Sequence, residues 1–151
     1  MNVDMICRRD VVTVDPAEDL LKAAQLMRER HVGSLVVVSA GESSPDLKVT
    51  GMLTDRDIVT AVLAKGADVR QLRVGDVMTR NPLKVGEFSA LEATLKLMRE
   101  VGVRRVPVIG TRDQLVGILS LDDVLECLAD QLMDVARAVR MEQRVERTAR
   151  P

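Results

Sequence analysis

Aromatic residues are almost missing: Phe88 stands alone among 151 residues, with no Trp and no Tyr. Single-strand nucleic-acid platforms stack bases on aromatic rings, so this composition argues against that function. Histidine is nearly missing too. With His31 alone, sites using two or three His ligands cannot be built within one chain. Any Ser-His-Asp or Cys-His mechanism would have to run through that residue. Cys7 and Cys127 are too few for a disulfide framework or a Cys-rich zinc site, and reduced thiols are expected. An excess of one charge is lacking as well: 22 Lys plus Arg stand against 23 Asp plus Glu, a net charge of −1. Bulk attraction to nucleic acid is therefore not expected. The longest apolar runs have four residues, such as Leu35 to Val38, far too short to span a membrane. The start, Met1-Asn2-Val3-Asp4, shows no basic region ahead of an apolar core, so no signal peptide is expected. These absences predict a cytoplasmic protein with neither a nucleic-acid nor a membrane partner.

What is present is enough to fold. The chain is 46% apolar and 30% charged, and a chain of this length buries roughly 70% of its unfolded surface. It also repeats itself. A shift of 71 lays Val14, Leu20, Leu26, Met27, Arg28, Glu29, Val32 and Val37 on identical residues from Val85 to Val108. Further on, a shift of 66 lays Gly51, Leu53 and Asp57 on Gly117, Leu119 and Asp123. The difference falls in one connector, Ser39 to Thr50. Its turn-forming stretch Ala40 to Asp46 predicts an exposed loop there.

Each copy reads β-α-β-β-α. Val11 to Val14 predicts a strand, and Asp15-Pro16-Ala17-Glu18 predicts a capped helix start. Leu20, Ala23, Ala24 and Met27 recur at helical spacing and should face a core. Leu35 to Val38 and Val49 to Leu53 predict strands, and Thr54 a helix cap, with Gly66 as the stop. The second copy repeats the order with Leu83–Val85, a capping box at Ser89 to Glu92, Val106–Ile109, Leu115–Leu119 and a helix from Ser120. Repeat 1 is placed at 3–66, a linker at 67–76, repeat 2 at 77–130, and an extended helix and tail at 131–151. The class is α+β (α/β). In that helix Leu125, Leu128, Leu132, Val135 and Val139 form a heptad-like seam. It suits either the chain's own body or a partner subunit. Arg137, Arg140, Arg144 and Arg147 form a stripe on the opposite face, which is more often solvated than bound to an anion.

Gly51-Met-Leu-Thr54-Asp-Arg-Asp57 and Gly117-Ile-Leu-Ser120-Leu-Asp-Asp123 carry the chemistry. A helix N-terminus beside a hydroxyl can receive phosphate. A carboxylate offers two acceptors to the two hydroxyls of a ribose. The same residues also make an ordinary capped helix. His31 reads as a helix-terminal surface residue, and Met5, Met27, Met52, Met78 and Met98 as core filler. Paired acids at the helix starts answer the dipole more often than they bind magnesium.

The duplicated Gly-x-x-Thr/Ser-x-x-Asp unit, with Val74-Gly75-Asp76-Val77-Met78-Thr79 and Arg104-Arg105-Val106-Pro107-Val108, resembles the cystathionine-β-synthase (CBS) domain as a tandem pair over residues 3–130. The likeness is greatest to small stand-alone bacterial CBS pairs. The resemblance implies two βαββα units related by a pseudo-twofold axis, two clefts for adenosine-containing ligands, and a homodimer. It implies ribose contacts at Asp57 and Asp123, and phosphate or ribose contacts at Thr54 and Ser120. Adenine contacts fall to Val12, Thr13 and Val14 in one cleft and to Asn81, Pro82 and Leu83, with Thr79 beside them, in the other. Arg104, Arg105, Val106 and Pro107 match the family's basic segment, whose guanidinium groups suit phosphate. The first copy has Gly33-Ser34 there and Val36 for Pro107, leaving Arg56 as its nearest cation.

The expectation is a non-enzymatic regulatory module that binds AMP, ADP, ATP, NAD or S-adenosylmethionine, with no catalytic cofactor or metal. It would act as a homodimer on an unidentified effector protein. The alternative is a scaffolding homodimer with no physiological ligand. An enzyme related to inosine monophosphate dehydrogenase is disfavoured, because a catalytic barrel does not fit this length.

Overall fold

The computed structural model describes residues 1–41 and 44–149. Two sheets form its centre. The first has the order β1 (Thr13–Val14), β2 (Ser34–Gly41), β3 (Ser44–Thr54) and β4 (Thr79–Arg80). The second has β5 (Val85–Gly86), β6 (Arg105–Ile109) and β7 (Leu115–Ser120). The first pairing in each sheet is parallel and the rest are antiparallel. Helix α1 (Leu20–Arg30) follows β1, and α4 (Leu91–Val101) follows β5. Helix α2 (Asp55–Ile58) follows β3 and continues as a π-helix over Val59–Leu63. Short α3 (Val74–Val77) precedes β4, and α5 (Leu121–Ala149) follows β7. Mixed βαββα repeats with a long terminal helix are thus present.

Strand β2 is buried on both faces, as its continuous apolar run predicts: Leu35, Val36 and Val37 are fully buried. Leu35 and Val37 face the first repeat's core with Leu20, Ala23 and Leu53. Val36 and Val38 face the other way, joining Val49, Met52, Ile109, Leu115 and Ile118 between the sheets. That apolar layer holds the two repeats together.

Packing exchanges segments between the repeats. Val3 and Cys7 lie in the second core with Val85, Met98, Val106 and Leu119. Val74, which the 71-residue shift pairs with Val3, lies in the first core with Leu20 and Leu35. The glycines of the duplicated motif allow this crossing. A Cβ on Gly117 would stand 2.9 Å from the Arg8 carbonyl oxygen and 3.0 Å from Cys7 Sγ. One on Gly51 would stand 2.5 Å from Met78 Sδ and 3.0 Å from the Thr79 carbonyl oxygen.

The exchange also corrects the expected helix starts. Helix α1 begins at Leu20, because Asp15 caps a turn instead, its Oδ1 accepting from the Ala17 N–H at 2.7 Å. The Leu20 N–H donates to the Leu72 carbonyl at 3.0 Å, and the Leu91 N–H to that of Met1 at 3.0 Å. Backbone from the exchanged segment therefore takes the place of a side-chain cap in both repeats. The Ser89 capping box accordingly does not form, and Ala90 is the N-cap. The expected strand from Val11 shortens to Thr13–Val14. The expected loop over Ala40 to Asp46 is instead a longer hairpin, with Ala40 facing Leu47 and Gly41 facing Ser44; Glu42 and Ser43 lie outside the described residues. Its arm reaches the β6–β7 turn of the second repeat. Arg112 pairs there with Asp46 at 3.1 Å, and Lys48 Nζ donates to the Arg112 carbonyl. Met5 is also not core filler, since its side chain is 72% exposed, whereas Met27, Met52 and Met98 are buried.

Candidate functional site

Both motif helices begin as their sequence dictates. At α2, the Asp57 N–H donates to Thr54 Oγ1 at 3.1 Å, and the Thr54 N–H donates back to Asp57 Oδ2 at 2.9 Å. At α5, the Asp123 N–H donates to Ser120 Oγ at 3.1 Å, and the Ser120 hydroxyl donates to Asp123 Oδ2. Asp57 is half-buried, whereas Asp123 is 9% exposed.

Only the second of these lines the cleft of about 480 Å³ that forms where the repeats meet. Ser120, Asp122, Asp123, Arg105 and Ile118 come from the second repeat. Val11, Val12 and the His31–Ser34 corner come from the first, with Arg8, Asp10 and Arg30 at the rim. The corner is shaped by His31, whose left-handed backbone (φ 53°) ends α1. His31 itself is exposed, as its helix-terminal position predicts.

Every arginine at this cleft faces an acid. Arg8 Nε donates to Asp123 Oδ1 at 2.5 Å and lies 3.8 Å from Glu126. Asp122 lies 3.3 Å from Arg104 and 3.9 Å from Arg105. Arg30 lies 3.7 Å from Asp10. The hydrogen bond to Asp123, then its charge, raises the Arg8 guanidinium above its usual value, so Arg8 stays a cation. The pairs made by Asp10 and Asp122 are exposed on both sides, so there an incoming anion can exchange for the acids at small cost, whereas Arg8 is held by a buried carboxylate.

The other sequence-selected residues are distributed more widely. Thr13 and Val14 form β1, and the Val14 side chain points into the first core. Thr79 lies opposite Met52 in β4. Asn81 adopts φ 46° and donates its N–H to the Thr50 carbonyl at 3.4 Å. Pro82 is half-buried, and Leu83 packs against the second core. Val106 is fully buried in that core, and Pro107 is buried beside it in β6. Arg56 is exposed at the start of α2. Thr54, Arg56 and Asp57 do not line the cleft that contains Asp123.

Arg8, Asp10, Val11, Arg30 and Asp122 were missed as site residues, although the repeat held a signal for three of them. The 71-residue shift pairs Thr79, Asn81, Pro82 and Leu83 with Arg8, Asp10, Val11 and Val12. Applying that register to the selected second-repeat residues leads straight to the cleft wall.

Among the described residues, no three His, Cys, Asp or Glu side chains cluster as a metal site, and no helix is long and apolar enough to cross a membrane.

The CBS domain family model matches residues 3–64 and 74–130. Hypoxic response protein 1 of Mycobacterium tuberculosis is 36% identical over 125 residues, 83% of each chain. A crystal structure of Hypoxic Response Protein I with two coordinated zinc ions matches with a TM-score of 0.70, covering 83% of this chain and 98% of that one. The hexameric CBS-CP12 protein from bloom-forming cyanobacteria is 28% identical with a TM-score of 0.74, covering 99% and 87%. An uncharacterized protein of Methanopyrus kandleri is 31% identical over 126 residues, and this chain spans 83% of itself but only 62% of that relative. The chain belongs to the CBS-domain family, with two repeats, and CBS pairs are generally regulatory, ligand-binding modules.

Proposed function

We propose that this CBS pair is a non-enzymatic regulatory module that takes an adenosine-containing nucleotide into the cleft at Asp123. The observation that carries the reading is the combination of chemistries on that one cleft. Asp123 stands at the start of α5 with Ser120 beside it, Val11, Val12 and Ile118 supply apolar surface, and Arg8, Arg30 and Arg105 supply cations. A ribose suits the carboxylate, a base the apolar wall, and phosphates the guanidinium groups. Both repeats contribute, so a bound ligand would bias their relative angle by as much as its affinities for the two arrangements differ.

The start of α2, with Thr54 and Asp57, is the weaker second candidate and has Arg56 as its cation. AMP, ADP, ATP, NAD and S-adenosylmethionine are the ligands to compare. The signal would pass from a homodimer to an effector protein. Zinc, named for the hypoxic response relative, is not part of this proposal. A scaffold without ligand is the second reading, favoured by the Arg8–Asp123 pair that already fills the carboxylate.

Titration calorimetry and thermal melting with that nucleotide panel test the reading. A ligand of the native state raises the melting temperature by mass action. Asp123→Ala should weaken binding about tenfold, near the low end expected for hydrogen bonds to a charged group. Asp57→Ala should change the affinity of the Asp123 cleft less than about twofold, since it lies outside it. Arg104→Ala/Arg105→Ala should flatten the ranking of ATP over ADP and AMP. A panel in which no nucleotide raises the melting temperature favours the scaffold.

A further inference from the structure

We propose that His31 is a proton-controlled cation of the Asp123 cleft, its imidazolium pairing with the phosphate of a bound nucleotide. The ligand itself rests on the function proposed above, whereas the part played by His31 follows from its backbone, its place and its charge. His31 ends α1 at φ 53° and donates its N–H to the Met27 carbonyl. The 71-residue shift pairs it with Gly102, which ends α4 at φ 76° and donates to the Met98 carbonyl in the same way. Glycine takes positive φ freely, whereas a residue with a side chain is strained there. One copy therefore closes this turn without strain, and the other gives up stability to hold an imidazole. Strain of this kind gathers at ligand sites.

The strained residue stands at the cleft. His31 lines it together with Gly33 and Ser34, the positions at which the second repeat has Arg104 and Arg105. That corner of the first repeat therefore has no arginine pair, and it has an imidazole two residues ahead instead.

The arginines in the cleft wall already have partners there: Arg8 has Asp123, Arg30 has Asp10 and Arg105 has Asp122. Those pairs cancel in charge. Arg28 and Glu29 precede His31 on α1, and Asp55 of α2 stands against Gly33. All of these are carboxylates or guanidinium groups, which keep their charges between about pH 5 and 8, whereas histidine changes its own in that interval. Among the described residues the His31 side chain has no hydrogen bond or ion pair. Its proton therefore decides whether the wall is neutral or carries one free positive charge. Protonated, the ring offers two N–H donors to a phosphate.

The chain has no other histidine, so NMR follows this ring without ambiguity. AMP should raise the midpoint of its titration by about half to one pH unit, equivalent to a three- to tenfold preference of AMP for the protonated form. Adenosine, which lacks the phosphate, should leave the midpoint unmoved. Calorimetry reads the reciprocal effect against His31→Gly and His31→Asn, whose backbones suit the same turn. The ratio of parent to variant affinity for AMP should rise about two- to sixfold from pH 8 to pH 6; taking the ratio at each pH cancels the titration of the phosphate itself. His31→Gly should melt no lower than the parent, and a marked fall in both variants would overturn the proposal by showing that the ring is held for packing. If nucleotides raise the melting temperature while AMP leaves the midpoint unmoved, the role of His31 falls and the cleft reading stands. If no nucleotide raises the melting temperature and the midpoint stays fixed, both fall. A midpoint raised as much by adenosine as by AMP also overturns the proposal, because no phosphate is then involved.

Discussion

The two helix starts carry the same motif in different surroundings, and the cause lies in the segment crossing each of them. Met78 and Thr79 cross Gly51, and Cys7 and Arg8 cross Gly117. The backbone geometry is shared: Thr79 lies opposite Met52, and Arg8 opposite Ile118. The side chains differ. Thr79 carries no charge to Asp57, whereas Arg8 reaches Asp123 at 2.5 Å. Next to the carboxylate the swap is reversed, with Arg56 at α2 and Asp122 at α5. Duplication thus preserved the framework and changed the charges on it, so one scaffold position is a corner whose crossing segment brings no charge and the other an ion-paired cleft.

The largest expected effect tests whether the exchanged segments bear equally on both repeats. Gly117→Val should cost about 3 kcal/mol, the upper part of the range for overpacking, because its new methyls meet the Arg8 carbonyl and a buried thiol. Gly51→Val should cost less, about 2 kcal/mol: it meets the Thr79 carbonyl as Gly117→Val meets that of Arg8, but its closest neighbour, Met78 Sδ, belongs to a flexible side chain that can move aside. Urea unfolding of the two variants measures both. Equal costs would mean that the two crossings are equally rigid, against the comparison.

A smaller effect, a few-fold in affinity, is expected from making the two corners alike. Arg8→Thr gives the second crossing the residue found in the first and releases Asp123 Oδ1. If Arg8 holds the carboxylate closed, adenosine should bind the variant about three- to tenfold more tightly, because the competent fraction rises. ATP should gain less, since Arg8 is also one of the cations near its phosphates. Calorimetry with adenosine and ATP separates the two terms. Weaker adenosine binding by the variant would show that Arg8 supports the ligand instead of excluding it.

Much of this comparison was legible in the residues. The repeat, the βαββα order, the doubly buried β2 and the Thr54 and Ser120 caps follow from periodicity and cap chemistry, which are local. The exchange was not legible, because Val3 and Val74 look like ordinary apolar residues and their destination depends on tertiary packing. It also explains the misplaced helix starts: Asp15 and Ser89 are good caps, but the Leu72 and Met1 carbonyls take the N–H groups first. The longer hairpin follows the same rule. The turn residues Ala40, Gly41 and Ser44 were overridden by pairing, and Asp46 by its contact with Arg112 of the other repeat. Arg8 escaped notice because no local pattern marks it; its signal is the 71-residue register that pairs it with Thr79.

The smallest expected effect concerns the thiol under that crossing. Cys7 occupies the place of Met78 in the duplicated framework, so one crossing carries a titratable group and the other does not. Burial pushes the Cys7 thiol above its ordinary 9.0, with Asp4 and Glu87 adding to the rise and Arg9 opposing it. In the unfolded chain the thiol ionises near its ordinary value, while in the folded chain it stays protonated to higher pH. The unfolded state therefore binds fewer protons above that point, and stability must fall as pH rises through the interval between the two values. Below it the thiol contributes no slope. Cys7→Ala should lower stability at every pH by opening a small cavity and should remove this part of the alkaline decline. Chemical denaturation of both proteins from pH 7.5 to 10.5 checks the difference, with Cys127 present in each as a common background. Parallel curves for the two proteins across that range would show that Cys7 ionises alike in both states, and that the second crossing opens to solvent well before the chain unfolds.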